Sequence, residues 1–378
     1  RTMTQYYIGL MSGTSMDGVD AVLAAFDGTQ WQGALGHFAV PYSDDLRRRL
    51  LDLQNPSGNE IHRSEVLAQE LAELNAQAVH GLLAQQKLAP RDIAAIGAHG
   101  QTVRHAPEHG YTVQLINLPL LAELTGIDTV GDFRRRDMAG GGQGAPLVPA
   151  FHQAVFGSPE HGRVVLNIGG IANISVLQPH ADASGFDTGP GNMLADAYMQ
   201  HHFGQACDRD GTLARSGCVI PELLQALMAH PYFHRTPPKS TGRDLFSLDW
   251  LQGYLKNSRT EAQPPANSYA PADIVRTLNA LTAQSIADAI AAHAPGVHEV
   301  FACGGGVFNP VLMAELSDRL APLGIRTATT DELNLPPQWV EAAAFAWLAA
   351  CRVCREPGNP HAATGAKQPY ILGAWHCA

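Results

Sequence analysis

The chain has 378 residues, 45% hydrophobic and 16% charged, with 25 basic against 35 acidic side chains and a formal net charge of −10. That length accommodates about two domains, each able to bury its own core. The acidic balance argues against a nucleic-acid or anionic-membrane surface, and no apolar run reaches the roughly 18 residues that a membrane helix needs.

No basic segment followed by an apolar stretch opens the chain, so no secretory signal is expected. Six scattered cysteines (Cys207, Cys218, Cys303, Cys351, Cys354, Cys377) fit a reducing cytoplasm. The first element is an apolar strand, Tyr6 to Leu10. It enters a turn made of Ser12, Gly13, Thr14, Ser15, Met16, Asp17 and Gly18, and a second strand, Val19 to Phe26, leaves it. Gly13 lets backbone N–H groups approach an anion, Thr14 and Ser15 add hydroxyl donors, and Asp17 can hold a divalent cation through water. A plain hairpin with a glycine turn accounts for the same residues. A third strand is expected around His37 to Pro41. A long amphipathic helix follows from about Ser64 to Gln86, with Val66, Leu67, Leu71, Leu74, Ala78 and Leu82 at helical spacing. Strand Ile93 to Ala98 ends in His99-Gly100-Gln101-Thr102, at the sheet edge where ligands of open α/β folds collect. Strand Thr112 to Asn117 and helix Leu118 to Thr125 come next. Residues 131–149 turn polar and Gly-rich, with Asp132, Arg134 and Asp137 ahead of the run Gly140-Gly141-Gly142. They read as a domain crossing or a ligand-binding loop.

The second half repeats the opening device. Strand Val164 to Ile168 enters Gly169-Gly170, and Ile171 to Leu177 leaves it. Asp187-Thr188-Gly189-Pro190-Gly191-Asn192 reads as a turn before a helix from Met193 to Phe203; Asp187 there is either a capping residue or a carboxylate projecting into a cleft. Residues 231–270 are Pro-, Ser- and Thr-rich and expected to be irregular. Lys239-Ser240-Thr241-Gly242 lacks the upstream Gly-x-x-x-x-Gly of a P-loop and reads as a cleft-lining loop. Helix Pro271 to His293 leads into strand Val300 to Cys303, which ends in Gly304-Gly305-Gly306. Asn309-Pro310 opens another helix, and a last helix spans Pro337 to Val353. Cys351 and Cys354 on it read as a packing pair rather than a metal site.

Three Gly-rich turns at strand ends, in this order, match the nucleotide-binding layout of the actin/sugar-kinase/Hsp70 superfamily. The fold class implied is α/β, with two actin-like (ribonuclease H-like) domains flanking a nucleotide cleft. The expected division is 1–132 plus about 338–378 against 133–337. Ile8-Gly9-Leu10-Met11-Ser12-Gly13-Thr14-Ser15-Met16-Asp17-Gly18-Val19-Asp20 resembles the signature of the anhydro-N-acetylmuramic acid kinase family. Ala98 to Thr102, Gly140 to Leu147, Asn167 to Asn173, Phe186 to Asn192, Pro237 to Arg243, Gly304 to Asn309, Glu341 to Trp347 and Ala363 to Gly365 match it too. The resemblance covers essentially the whole chain.

That resemblance implies a cytoplasmic enzyme of cell-wall recycling, a homodimer that uses ATP, Mg²⁺ and water. It would convert 1,6-anhydro-N-acetylmuramic acid to N-acetylmuramic acid 6-phosphate. The family's catalytic base falls on Asp187. Ser12, Gly13, Thr14, Ser15, Met16, Asp17 and Gly18 would hold phosphates, with Asp17 on the metal. Asn167, Gly169 and Gly170 would form the second phosphate hairpin, and Gly304, Gly305, Gly306 and Asn309 the adenosine side. Recognition of an acidic sugar needs cationic and amide donors, for which His99, Gln101, Asp132, Arg134, Asp137 and Gln143 are candidates; Glu332 and Glu341 are alternatives for sugar or metal. The chain departs from the wider superfamily in two places. Its first hairpin has Met11-Ser12-Gly13-Thr14 where Asp-x-Gly-x-Thr is usual, and its second has Asn167 where an acid is common. Other sugar or carboxylic-acid kinases and a nucleotide-gated binding module stay open as rival readings.

Overall fold

The structure is a computed structural model that describes residues 4–243, 245–257 and 269–378. The chain forms two compact units, one of residues up to Phe156 together with Asn334–Ala378, the other Gly157–Leu333.

The first unit opens with three antiparallel strands, β1 (Gln5–Met11), β2 (Gly18–Asp27) and β3 (Gln30–Pro41). Helices α1 (Asp44–Asp52) and α2 (Glu60–Gln86) precede β4 (Ile93–Ala98), which runs parallel to β1. A separate hairpin, β5 (Gln101–Ala106) and β6 (Tyr111–Leu115), then α3 (Leu118–Thr125), leads to β7 (Thr129–Gly131), parallel to β4. Helices α4 (Phe133–Ala139) and α5 (Val148–Phe156) end this stretch. The second unit again begins with an antiparallel meander, β8 (Arg163–Ile168), β9 (Ile171–Leu177) and β10 (Ser184–Pro190). Helices α6 (Met193–Phe203), α7 (Thr212–Arg215), α8 (Pro221–Met228), α9 (Leu248–Asn257) and α10 (Pro271–His293) follow. Then come β11 (Glu299–Cys303), α11 (Pro310–Leu320) and β12 (Arg326–Thr329), with β11 parallel to both β8 and β12. The chain returns to the first unit with α12 (Val340–Cys354), α13 (His361–Thr364) and β13 (Ala374–His376), the last antiparallel to β7.

The two sheets are ordered β13-β7-β4-β1-β2-β3 and β10-β9-β8-β11-β12. Without β13 they are the same sheet twice: a three-strand meander whose first strand is flanked by two parallel strands. This is the duplicated actin-like arrangement. In each unit the long helix, α2 or α10, is the crossover from the meander to the first parallel strand.

Strand pleat explains which face each helix takes. Ile8 and Leu10 of β1, with Ile96 and Ala98 of β4, bury against Ala72, Ala76, Val79, Leu82 and Leu83 of α2. The alternate positions, Gly9 and Gly97, face α12. A Cβ at Gly9 would lie 1.7 Å from the Ala342 carbonyl oxygen, and one at Gly97 would lie 2.0 Å from that of Phe345. The alanine-rich α12 therefore lies backbone to backbone on the strands. In the second unit Val164, Leu166 and Ile168 share a core with Ala283, Ile286 and Ile290 of α10 and Leu312, Leu316 and Leu320 of α11.

The structure departs from the sequence reading in six places. The third strand begins at Gln30. The segment after His99 is a strand of a hairpin, in which a register shift between Thr102 and Arg104 hides the two-residue alternation. Residues 133–139 are helical. Asp187 to Pro190 belong to an edge strand rather than a turn. Within 231–270, Pro231–His234 form a 3₁₀ turn and Leu248–Asn257 a helix; residues 244 and 258–268 lie outside the described set. The division also falls at 156/157 and 333/334 rather than 132/133 and 337/338. Phe151 of α5 sets its ring edge-on to Trp31 and tilted against Trp347, which keeps α5 with β3 and α12.

Candidate active site

In the first unit the β1–β2 turn is held by side chains. Tyr42 donates to Ser12 Oγ at 2.8 Å, Ser12 donates in turn to Gln101 Oε1, and Gln101 Nε2 donates to the Gly13 carbonyl at 3.1 Å. Met16 has left-handed backbone geometry (φ 55°), and its N–H closes the turn on the Gly13 carbonyl at 3.1 Å. Its side chain is buried among Leu46, Leu50, Leu67 and Leu71. Met16 and Ser12, expected at the nucleotide, are therefore anchors that present Thr14 and Asp17 outward. Gln101, expected on the sugar, braces this turn. Asp17 lies 3.9 Å from Arg47, both exposed, and no metal-binding group of three or more His, Cys, Asp or Glu occurs among the described residues. A lone outward carboxylate beside a turn of backbone amides suits a largely hydrated Mg²⁺ held also by phosphates, not a protein cage.

At the end of β4, His99 is buried, and its N–H bonds the Leu10 carbonyl of β1 at 3.0 Å. Its Nδ1 lies 2.7 Å from the Gly100 carbonyl, which makes Nδ1 the protonated nitrogen. Nε2 is then an acceptor, and Arg134 donates to it from Nε at 3.2 Å and Nη2 at 2.9 Å. Burial, helped by the Arg134 charge, pushes the His99 pKa down to about 3, so the imidazole is a neutral cradle for the guanidinium. Arg134 also donates from Nη1 to the Gly144 carbonyl at 2.9 Å.

Asp137 corrects the sequence reading. It is fully buried, and its carboxylate accepts from Thr364 Oγ1 at 2.7 Å, Asn359 Nδ2 at 2.8 Å and the Gly144 N–H at 2.8 Å. A Cβ on Gly142 would meet its Oδ2 at 2.2 Å. The glycine run is thus stitched to the C-terminal segment, with Gln143 N–H on the Thr364 carbonyl (2.9 Å) and Lys367 N–H on the Gly140 carbonyl (3.0 Å). Asp137 sets the loop whose Gly144 holds Arg134. Asp132 has left-handed geometry (φ 52°), lies 3.6 Å from Arg135, and has its pKa raised by burial. Thr125 spends its hydroxyl on the Leu121 carbonyl at 2.8 Å. Glu341 sits in the first turn of α12.

In the second unit the Gly169-Gly170 turn is gripped by backbone. The N–H groups of Gly191 and Met193 donate to the Gly170 carbonyl at 2.9 and 3.1 Å, and that of Asn192 donates to the Gly169 carbonyl at 2.8 Å. The start of α6 therefore holds the hairpin, and a Cβ at Gly191 would meet the Gly169 oxygen at 2.2 Å. Gly304 (φ 83°) and Gly306 pack onto the end of β8, where added Cβ atoms would meet Asn167 Oδ1 at 2.4 Å and Ile168 Cγ2 at 2.3 Å. Nothing lies within 4 Å of a Cβ on Gly305. Asn167, Gly169, Gly170 and Gly304 to Gly306 thus converge at the C-terminal ends of the parallel strands β8 and β11. Asn309 is a correction: its Oδ1 caps α11, accepting from the N–H groups of Val311 and Leu312 at 3.1 Å each. Glu332 is exposed beside the edge strand β12 and pairs with Arg326 at 2.7 Å, and Arg326 reaches Glu299 at 3.2 Å.

Asp187 lies on β10, the other edge of this sheet, where the register with β9 shifts between Asp187 and Gly189. Thr188 is buried and donates to the Ala172 carbonyl at 3.1 Å. The bulge leaves Asp187 itself half-buried. Residues 232–241 line its outer side. The Thr241 N–H donates to Asp187 Oδ2 at 3.0 Å, the Asp187 N–H to the Lys239 carbonyl at 3.3 Å, and the Tyr232 hydroxyl to the Asp187 carbonyl at 2.6 Å. Lys239-Ser240-Thr241 is hence a strip beside a carboxylate, not a loop between a strand and a helix. Tyr232 escaped the sequence reading because it stands in a Pro- and Thr-rich stretch with no periodicity.

Among known proteins, the family model described as anhydro-N-acetylmuramic acid kinase matches residues 5–378. A relative of that name from Neisseria meningitidis serogroup C (strain 053442) is 60% identical over 373 residues, covering 98% of each chain. Another of the same name, from Chromobacterium violaceum, is 51% identical, covering 98% of this chain and 99% of its own. Among solved structures, the ADPNP-bound activator of 2-hydroxyisocaproyl-CoA dehydratase from Clostridium difficile aligns over 93% of this chain and 96% of its own. The identity is 11% and the TM-score 0.47, a likeness too weak to carry any argument. Match to the family model over nearly the full length, and identity far above what chance gives, settle the family: the chain belongs to the anhydro-N-acetylmuramic acid kinases.

Proposed function

We propose that this protein phosphorylates 1,6-anhydro-N-acetylmuramic acid with ATP and opens the anhydro ring with water, giving N-acetylmuramic acid 6-phosphate and ADP for cell-wall recycling. The observation that carries the reading is the Asp187 carboxylate. It is presented by a bulged edge strand with Oδ2 fixed by the Thr241 N–H, beside the turns of the same unit. Asp187 takes a proton from water as the water oxygen bonds to C1. The C1–O6 bond breaks, and O6 takes the γ-phosphoryl group as the bond to the β-phosphate oxygen breaks. The water arrives opposite the departing oxygen, so C1 inverts, as with a single-base inverting glycosidase. Charge arising on O6 passes into the phosphoryl group, so no separate acid is required.

The turn around Gly13, Thr14 and Ser15 takes phosphates in the first unit, and Gly169-Gly170 takes them in the second. Gly304 to Gly306 support the adenosine. Asp17 would hold Mg²⁺ through water, and the ion would supply charge neutralisation at the phosphates. Arg134, held by neutral His99, meets the lactyl carboxylate, with Asp132 just before helix α4 and Gln143 in the Gly-rich turn after it. Cytoplasmic location and a homodimeric state belong to the same proposal. Among the described residues no helix is long and apolar enough to cross a membrane.

Turnover in ¹⁸O-labelled water tests the ring opening. The label is expected at C1 of the product; unlabelled product would leave a plain sugar kinase. Asp187→Asn is expected to lose turnover by several orders of magnitude while still binding ATP. Near-normal activity would remove Asp187 as the base.

A further inference from the structure

Lys239 stands where an ammonium is costly. Its residue is only 9% exposed, and among the described residues its Nζ has one hydrogen-bond acceptor, the Tyr232 carbonyl at 3.2 Å. Its other neighbours are aromatic faces, with the Nζ 4.8 Å from the ring centre of Tyr232 and 5.5 Å from that of Phe186. Phe186 immediately precedes Asp187 on β10. A buried ammonium with three donors and one acceptor needs a compensating charge. Asp187 supplies it: it favours the charged lysine, against burial and the nearby Arg235 that push the lysine pKa down. The other titratable groups around the pair are Tyr232, whose pKa is raised by burial and by Asp187, and His293, whose ring meets Phe186 edge-on at 5.2 Å.

The same residues form one closed clamp. Lys239 Nζ fixes Tyr232 through its carbonyl, the Tyr232 hydroxyl fixes the Asp187 carbonyl, and the Lys239 carbonyl fixes the Asp187 N–H. We infer that Lys239, gripped by Tyr232 and Phe186, is a positioning residue for Asp187. It keeps the carboxylate ionised and aimed while Asp187 waits to take a proton from water. The inference rests on the base assignment above and adds the group that maintains the base. The Lys239 charge, acting through space, lowers the basicity of the carboxylate somewhat, and in return the base stays unprotonated as the pH falls.

The test is kcat against pH at saturating ATP and anhydro sugar, where the acid limb reports the base in the bound complex. Lys239→Met is expected to move that limb to higher pH by up to about one unit, the low end for loss of a nearby opposite charge. Lys239→Arg is expected to leave it in place. Tyr232→Phe, which removes only the hydroxyl on the Asp187 carbonyl, should lower kcat several-fold without moving the limb or the KM for ATP. The position of a limb, unlike its height, is independent of a folded fraction that stays constant across the limb, so a partly folded variant still reports once circular dichroism at each pH shows that fraction unchanged. Lys239→Gln, which retains an N–H for the Tyr232 carbonyl, gives the same reading should Lys239→Met not accumulate. An unmoved limb in the charge-free variants overturns the inference. With Asp187→Asn inactive, that result leaves the base assignment standing; with Asp187→Asn active, the assignment itself falls.

Discussion

Replacing Asp137 with asparagine changes one atom and separates a structural carboxylate from a substrate ligand. The wild-type carboxylate receives three buried donors, Thr364 Oγ1 and Asn359 Nδ2 on Oδ1 and the Gly144 N–H on Oδ2. An asparagine has one oxygen. If that oxygen faces Thr364 and Asn359, its NH₂ points at the Gly144 N–H. If it faces Gly144, the NH₂ points at Asn359 Nδ2. Either orientation strands at least one buried N–H against another donor. A stranded buried donor costs about 1–3 kcal/mol, and loss of charge on the surviving bonds adds to it, so about 2–4 kcal/mol is expected. The first unit comprises about 200 residues, for which 1 kcal/mol shifts Tm by roughly 2–4 °C, so the variant should melt about 4–16 °C lower. Because Gly144 also accepts from Arg134, the KM for the sugar should rise more than the KM for ATP. Differential scanning fluorimetry on the intact chain, with steady-state kinetics, reads both. An unchanged Tm with sugar binding lost would refute the reasoning and return Asp137 to the substrate.

Two further outcomes follow from packing and burial. Gly9→Ala would place a methyl 1.7 Å from the Ala342 carbonyl oxygen and 2.6 Å from the Ala346 nitrogen, both backbone. Helix α12 would have to retreat by about 1.5 Å to restore van der Waals contact, and a loss of at least about 3 kcal/mol is expected. Gly58→Ala, with nothing within 4 Å, should be silent by the same denaturation measurement. The second outcome concerns pH. The buried His99 and His152 both have folded pKa values pushed down to about 3, His99 by burial and the Arg134 charge, His152 by burial. Between about pH 6.5 and 3 the unfolded chain binds protons that the folded chain does not. Their contribution is therefore complete above pH 6.5 and falls below it, by up to about 1.4 kcal/mol per pH unit for each. Denaturation midpoints from pH 7 to pH 5 should fall, and His152→Leu should flatten the slope without touching the site. A slope unaltered by that substitution would count against a neutral His152.

Legibility of the fold in the sequence tracked how local the signal was. Helices α3, α6 and α10 carry local limits, the left-handed Gly126 and Gly204 at the ends of the first two and Pro271 at the start of the third, and these could be read directly. Strand β5 could not: four polar residues and a register shift leave no alternation, and it exists because Gln114 Nε2 bonds Thr102 Oγ1 at 3.1 Å from across the hairpin. The site divides the same way. Glycines at 169, 170 and 304 to 306 announce close backbone approach wherever they are. Ser12, Met16, Asp137 and Asn309 lie in equally suggestive motifs, yet their side chains turn inward. A motif reports that a position is constrained; which side of the backbone the constraint comes from is decided by partners 89 residues away in sequence for Ser12 and 227 for Asp137, and those are invisible locally.

The repeated sheet also shows why one turn is rich in side chains and the other in glycine. Both sit between the first two strands of the same topology. In the second unit the start of α6 follows β10 at once, so three backbone N–H groups are at hand to hold the carbonyls of Gly169 and Gly170, and no side chain is needed. In the first unit β3 runs on into α1, a helix whose first turn is capped by Ser43 instead. The Gly13 turn is held by the side chains of Ser12, Gln101 and Tyr42, with Met16 buried beneath it. The departure of the first hairpin from Asp-x-Gly-x-Thr has a physical meaning in that setting. The place of the usual aspartate falls at Met11, the half-buried end of β1, beside Ser12, Tyr42 and Gln101, which are neutral and offer a carboxylate no compensating charge. The acid instead appears at Asp17, past the left-handed Met16, where the chain has turned outward and the carboxylate is solvated.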